Sequence, residues 1–453
     1  MRWRLLTLFL AITVGLAIVQ FDLPKVVTSH TSVVTTRVAI ICPDSARGAT
    51  LILGGHGTQL SPIGKLPKGV KEIALTTNKE VTTARISSVA HLVEKSVAGA
   101  TQIESASGLS GLACPSVDTS YWFVGGSAAL SGQDRLLLVN AGHGDAAATV
   151  LAWSDKGAVP AYPVVVPAQT SIRLGLDSIA PGVNAIVLHV LIRSGRLAAS
   201  LYDQRSQGLI NLGADFVPAG IDPAKRFVML GVPGINTPHK SSAKSPSPKL
   251  ASETRVLRLL APLNAASVRV DVVGSGDSFT PLGLDKIELA AGRVRDIPIT
   301  TALPSLAYAF VVTADAPVVA GVFSSVNAGN GSDIAWTASA PGLSLGAASA
   351  DIDGTTYLFY SHAAVSIAVT KIRVGAFPIT STLAIPAESV VSWSPGTSGT
   401  GATAIRVGAN TGVVYAARLL RTINGITTSP LRPISVAGRS TMPIADVGVG
   451  MPR

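Results

Sequence analysis

Charge is scarce in this chain. Asp, Glu, Lys and Arg make up 14% of its 453 residues, where an average soluble protein carries about 25%. A coiled coil or a disordered charged tail needs more than this. Aromatic residues are few as well, at 5%. No basic run is interleaved with them, which excludes a nucleic-acid surface. Cysteine occurs only twice, so neither a cysteine-rich metal module nor a disulfide-dense scaffold is available. After the N-terminus no long window places apolar residues at helical spacing. What is present is 47% hydrophobic residues, punctuated by 44 glycines and 28 prolines. Short apolar runs between turns are the pattern of an all-β protein.

One strand pattern is written three times at intervals of roughly a hundred residues. An opening strand reads Tyr121-Trp122-Phe123-Val124, then Phe227-Val228-Met229-Leu230, then Ile334-Ala335-Trp336-Thr337. Second strands follow at Leu136–Asn140, Val256–Leu260 and Tyr357–Tyr360, and third strands at Thr149–Trp153, Val268–Val272 and Ile367–Thr370. Each copy then kinks, at Val166-Pro167-Ala168-Gln169, Leu289-Ala290-Ala291-Gly292 and Ile385-Pro386-Ala387-Glu388. Each is expected to close with a hairpin, around Ser194-Gly195-Arg196, Ala314-Asp315-Ala316-Pro317 and Asn410-Thr411-Gly412. Strand count and spacing predict tandem immunoglobulin-like β-sandwich domains at 118–218, 219–330 and 331–425, followed by a tail at 426–453. Copies this long exceed the blade of a propeller. Residues 26–117 form a further β region, either a degenerate fourth copy or a partner for the first. The polar stretch 236–252, with Ser-Pro-Ser-Pro and lysines, is read as a flexible loop inserted within the second copy.

The N-terminus carries Arg2 and Arg4 before an apolar run from Leu5 to Val19. That is a positive n-region and an h-region, and it predicts export. The segment 1–25 is read as an uncleaved signal-anchor, with a cleaved signal peptide as the alternative. An oxidising exterior then favours a Cys42–Cys114 disulfide over two separate buried thiols. The formal net charge of +10 allows contact with anionic lipid or wall polymer, although charge spread over several faces for solubility is the better explanation of it.

Sites for chemistry are thin, and no catalytic, cofactor or metal residue is assigned. None of the seven histidines (His30, His56, His91, His143, His189, His239, His362) lies at ligand spacing from another. His189, in an apolar strand, is read as a hydrogen-bonded sandwich histidine. His56 and His143 sit in Gly-His-Gly turns. Gly108-Leu109-Ser110-Gly111 is one residue short of a nucleophile elbow, and Ser241 with Lys244 falls in the polar loop. Asp351-Ile352-Asp353-Gly354 lacks the further oxygens of a calcium loop and is read as a turn. The rings of Trp122, Trp153, Trp336 and Trp393 are expected to pack in cores.

Cys114-Pro115 followed by Tyr121-Trp122-Phe123-Val124-Gly125-Gly126-Ser127 resembles actinobacterial exported envelope proteins of the domain-of-unknown-function family 5719. The likeness continues through Leu136–Asn140, Ala198-Ala199 and Pro317–Ala320. It implies an exported protein with one hydrophobic N-terminal segment and supplies no catalytic residue. The expected function is a non-enzymatic, membrane-tethered envelope scaffold or binding subunit without cofactor. Its expected partner is an envelope protein or an anionic wall polymer. The alternative is a carbohydrate-active enzyme with its carboxylates scattered over strands.

Overall fold

The computed structural model describes residues 37–43, 50–54, 58–62, 86–91, 99–104, 107–129, 132–234, 253–328, 331–344, 346–351, 353–373, 377, 379–396, 401–407 and 412–433. The N-terminal segment 1–25, the loop 236–252 and the chain past 433 lie outside them, as do His30, His56, His239, Ser241 and Lys244. Among the described residues the one helix is the single turn Leu176–Ile179. Everything else with regular structure is strand, so the protein is all-β.

The first full copy has eight strands: Ser120–Val124, Arg135–Asn140, Ala146–Ser154, Gly157–Val166, Ser171–Gly175, Val187–Ser194, Leu197–Gln207 and Ile210–Val217. They form two four-stranded sheets, ordered fourth–third–sixth–first and fifth–second–seventh–eighth. Tyr121, Phe123, Val150 and Leu188 of one sheet meet Leu136, Leu138, Ala199 and Leu201 of the other in a shared core. Alternation decides which side chains enter it. Ala146–Ser154 buries every second residue along its length, as a strand with one covered face must.

The third copy repeats this order strand for strand, from Gly346–Asp351 through Ile379–Ile385 to the closing strand Gly425–Pro430. The second copy follows it with one fusion. Ala307–Ala328 is a single strand of 22 residues. Its first half pairs with Ala224–Pro233 and Ala266–Val273, its second half with Thr254–Leu260 and Gly331–Ala340. The expected alternation of Val268–Val272 is present, with the three valines buried and Arg269 exposed. The N-terminal region resolves the choice left by sequence. Arg37–Cys42, Ile86–His91 and Thr58–Pro62 form one sheet, and Thr50–Gly54, Gly99–Glu104 and Ser110–Ala113 another. These are the orders first–sixth–third and second–seventh–eighth, so this region is a fourth copy.

Three expectations are corrected. The strands on either side of Ser194–Arg196 belong to opposite sheets, so it closes no hairpin, and Ala314–Pro317 lies inside the continuous strand Ala307–Ala328. Asn410 and Thr411 lie outside the described residues, and the strands before and after them, Gly401–Val407 and Val414–Thr422, belong to different sheets. At Gly195 the chain passes so close to Ala146 that a Cβ there would lie 2.4 Å from the alanine Cβ, and φ is +83°. Only glycine turns that corner. The first strand pairs with the sixth, across the sandwich from the second. In immunoglobulin domains the first two strands share a sheet, so the copies are β-sandwiches with a different strand order. Second, Ile334–Thr337 does not open the third copy. It lies in the strand Gly331–Ala340, which pairs back onto Ala307–Ala328 and closes the second. Third, residues 426–430 are no tail. They belong to a fully buried closing strand, turned at Asn424-Gly425.

Candidate functional site

Each of the four closing strands has a glycine at its first residue, within it or just before it, in the stretches Gly108-Leu109-Ser110, Gly213-Ala214-Asp215, Gly331-Ser332-Asp333 and Gly425-Ile426-Thr427. The glycines have φ of +140°, +118°, +150° and +149°, a conformation that side chains other than glycine avoid. The stretches converge, and two buried aspartates tie them together.

Asp215 accepts hydrogen bonds from the Gly111 amide (3.2 Å), its own neighbour Phe216 (2.9 Å), the Trp336 amide (3.0 Å) and the Thr427 hydroxyl (2.8 Å). Its partners therefore come from all three other copies. Asp333 accepts the amides of Leu109 (3.2 Å) and Ile426 (3.1 Å) through Oδ2, while its buried Oδ1 has no hydrogen-bond partner. Three glycines wall it in. A Cβ on Gly425 would lie 1.6 Å from Oδ2, and Cβ atoms on Gly108 and Gly213 would lie 2.2 and 2.7 Å from Oδ1. Neither aspartate is solvent-exposed. Burial pushes Asp215 well above the usual carboxylate range, against the pull of its donors. It pushes Asp333 up to about 7 in the same way.

A second polar layer joins the first and second copies around Trp336, which is buried in the core of the first copy although it belongs to the second. Its indole N–H donates to Asp203 Oδ2 at 2.7 Å, and Arg205 holds the same carboxylate at 2.9 Å. The Arg258 guanidinium lies 5.3 Å from the Trp336 ring and pairs with Asp296. It also reaches back to the carbonyls of Gly126 (2.7 Å) and Ile186 (3.1 Å) in the first copy. Burial, with Asp203 nearby, raises Asp134 to about 9. The buried Arg255 has four carbonyl partners, those of Pro233, Gly234, Thr254 and Ser325. Desolvation lowers it to about 10.

A mixed cluster lies on the outer surface at the kink the sequence writes three times. Gln169, Gly292 and Glu388 occupy the fourth position of that kink, with φ of +54°, +67° and +50°. In each the amide bonds a carbonyl at or just past the end of the second strand: Gly142, Ala261 and Ser361. Gln169 adds side-chain bonds to the Ala141 and Gly142 carbonyls. Glu388 instead gathers the Tyr360 hydroxyl and His362 Nδ1, the latter at 2.9 Å. Arg226 lies 3.3 Å from the same nitrogen. That nitrogen cannot donate to Glu388 and accept from Arg226 together, so one contact excludes the other.

Cys42 and Cys114 are joined, 72 positions apart. They connect the end of the first strand of the N-terminal copy to the residue after its last. His189 is hydrogen-bonded to Ser120 (2.9 Å) and stacked on Trp122 (4.0 Å between centroids). Burial lowers it to about 4, so it is neutral at physiological pH. Trp122 and Trp336 are buried, while Trp153 and Trp393 are half-buried against clusters of apolar residues. His143 lies in its Gly-His-Gly turn, and Asp353-Gly354 turns the chain between two strands. Gly108–Gly111 turns out to be the start of a closing strand at the junction. Among the described residues no three His, Cys, Asp or Glu side chains gather as a metal site. Sequence reading missed Asp203, Asp215 and Asp333. For Asp215 and Asp333 the signal was an aspartate inside an apolar strand two residues after a glycine; Asp203 carried no such mark.

These features define a tandem array of β-sandwich copies interlocked through their closing strands. The chain belongs to the family of unknown function DUF5719, whose model matches residues 74–396. No curated protein matches it. Among solved structures, the tetra-tandem repeat in the extending region of a large adhesion protein is 13% identical. It covers 89% of this chain and 96% of that one at a TM-score of 0.11, a score too low to carry any argument.

Proposed function

We propose that this protein is a non-enzymatic scaffold or binding subunit of the cell envelope. In this reading it is exported and held to the membrane by its N-terminal hydrophobic segment, as the resemblance to actinobacterial envelope proteins implies. The observation that carries the reading is the use made of the buried carboxylates. Asp203, Asp215 and Asp333 each hold a donor from another copy. Such bonds fix one copy against the next and leave loops and outer edges to meet a partner. The partner is an envelope protein or an anionic wall polymer, and the net charge of +10 favours the polymer at low salt.

Immobilised protein mixed with envelope fractions tests this. It should retain one class of partner, more weakly at high salt if the charge contributes. No single Asp, Glu or His substitution on the surface should abolish retention. Turnover of an isolated wall glycan that disappears in Glu388→Gln would overturn the reading.

A further inference from the structure

The fourth strand lies at an open sheet edge in the first and third copies, and short strands take that place in the second. An edge is a template for another strand unless something blunts it. In the first copy Gly157–Val166 contains Pro160 and Pro163, which lack N–H groups, and its register slips between Val159 and Tyr162. In the second copy only Ser278–Phe279 and Ile287–Leu289 stand there, and an exposed Lys286–Glu288 ion pair lies across the latter. Among the described residues the fourth strand of the third copy has no such device. Ile379–Ile385 runs seven residues in unbroken register with Val365–Arg373 and contains neither proline nor charge. Thr380, Ser381 and Thr382 are exposed, Ile379 is 62% exposed and Phe377 beside it 94%. Among the described residues nothing pairs with the outer side of this strand.

We propose that Ile379–Ile385 is the contact through which two copies of this chain pair edge to edge, joining their sheets into one. This goes beyond the scaffold reading and does not depend on it. The occupant follows from the strand itself, which is complementary to its own reverse. Antiparallel pairing about a two-fold axis at Thr382 sets Thr382 opposite Thr382, Ser381 opposite Leu383 and Ile379 opposite Ile385. Every pair joins residues of the same parity, so outward N–H groups meet outward carbonyls and the core-facing side stays continuous. Phe377 falls opposite the other copy's Ala387, which covers the most exposed ring in this region. No like charges are opposed, as they would be had this edge carried one.

The test puts charge on the axis. Thr382 is exposed, so Thr382→Lys and Thr382→Glu should fold as the parent does, checked by circular dichroism. Sedimentation of the full chain in mild detergent at about 10–100 µM is expected to give a dimer for the parent and a monomer for each variant. An equimolar mixture of the two variants should recover the dimer, since Lys then faces Glu. A parent that stays monomeric across this range overturns the proposal. So does a dimer indifferent to Thr382→Lys, or a mixture that remains monomeric although both variants are folded.

Discussion

The hydroxyl of Thr427 donates to the carboxylate of Asp215 at 2.8 Å, across 212 positions of sequence. The same hydroxyl lies 3.4 Å from the Gly111 carbonyl, so it has an alternative acceptor when Asp215 carries a proton. The pair belongs to the third and first copies, and Gly111 to the N-terminal one. Asp215→Ala leaves the Gly111 and Trp336 amides buried without that acceptor, at about 1–3 kcal/mol each. Urea unfolding should show a loss of at least about 2 kcal/mol. Thr427→Val removes one donor from a carboxylate that keeps three others, and should cost about 1–2 kcal/mol.

Two glycines should respond in opposite ways. Gly425→Ala would place a methyl 1.6 Å from Asp333 Oδ2 at a φ of +149°, and should destabilise by more than about 3 kcal/mol. The double variant with Asp333→Ser should recover part of this loss. Gly292 also has positive φ, but its copies carry Gln169 and Glu388 there, and the nearest atom to an added Cβ is Trp153 Cδ1 at 3.9 Å. Gly292→Asn should stay within about 0.5 kcal/mol of the parent. Thermal denaturation of the three variants checks both statements.

Asp333 gives the junction a pH dependence of definite sign. Burial raises it from 3.8 to about 7, so the folded chain holds this proton more tightly than the unfolded one. Its contribution is complete below pH 3.8 and declines as pH rises, to be gone above about 7. Asp134, raised to about 9, acts in the same direction over a wider window. Replacing Asp333 with Asn removes the titration. Between pH 4 and 7 the stability difference between parent and variant should therefore change by up to about 1.4 kcal/mol per pH unit. An unchanged difference would show that Asp333 does not titrate there.

The Cys42–Cys114 bond closes a loop of 72 positions around the N-terminal copy. The double variant Cys42→Ala, Cys114→Ala should lose about 4 kcal/mol in the closure-entropy account. Leu109 and Gly111, donors to Asp333 and Asp215, lie just before Cys114. Limited proteolysis should first cut within 37–115 in that variant, while the parent resists there.

Much of this fold could be read from apolar runs and turns. The second and third strands of each copy lie where Leu136–Asn140, Val256–Leu260 and their counterparts place them, and the cysteine pair is joined. The phase of the copies could not be read this way. Ile334-Ala335-Trp336 and Tyr121-Trp122-Phe123 are both apolar strands with a tryptophan, and nothing local distinguishes a strand that opens a copy from one that closes it. The hairpins failed for a related reason, since a glycine that turns within a sheet looks the same as Gly195, which crosses between sheets. The junction was hidden because its residues lie about a hundred positions apart. Aligning Asp215 with Asp333 requires the correct phase first.

Four copies that share one junction should open together. Native-state hydrogen exchange reads it at the donors themselves: the amides of Leu109, Gly111, Trp336 and Ile426. One common opening free energy is expected for all four, lowered together by Asp215→Ala even though Leu109 and Ile426 bond Asp333 instead. Four distinct free energies, with only Gly111 and Trp336 responding to the substitution, would contradict it.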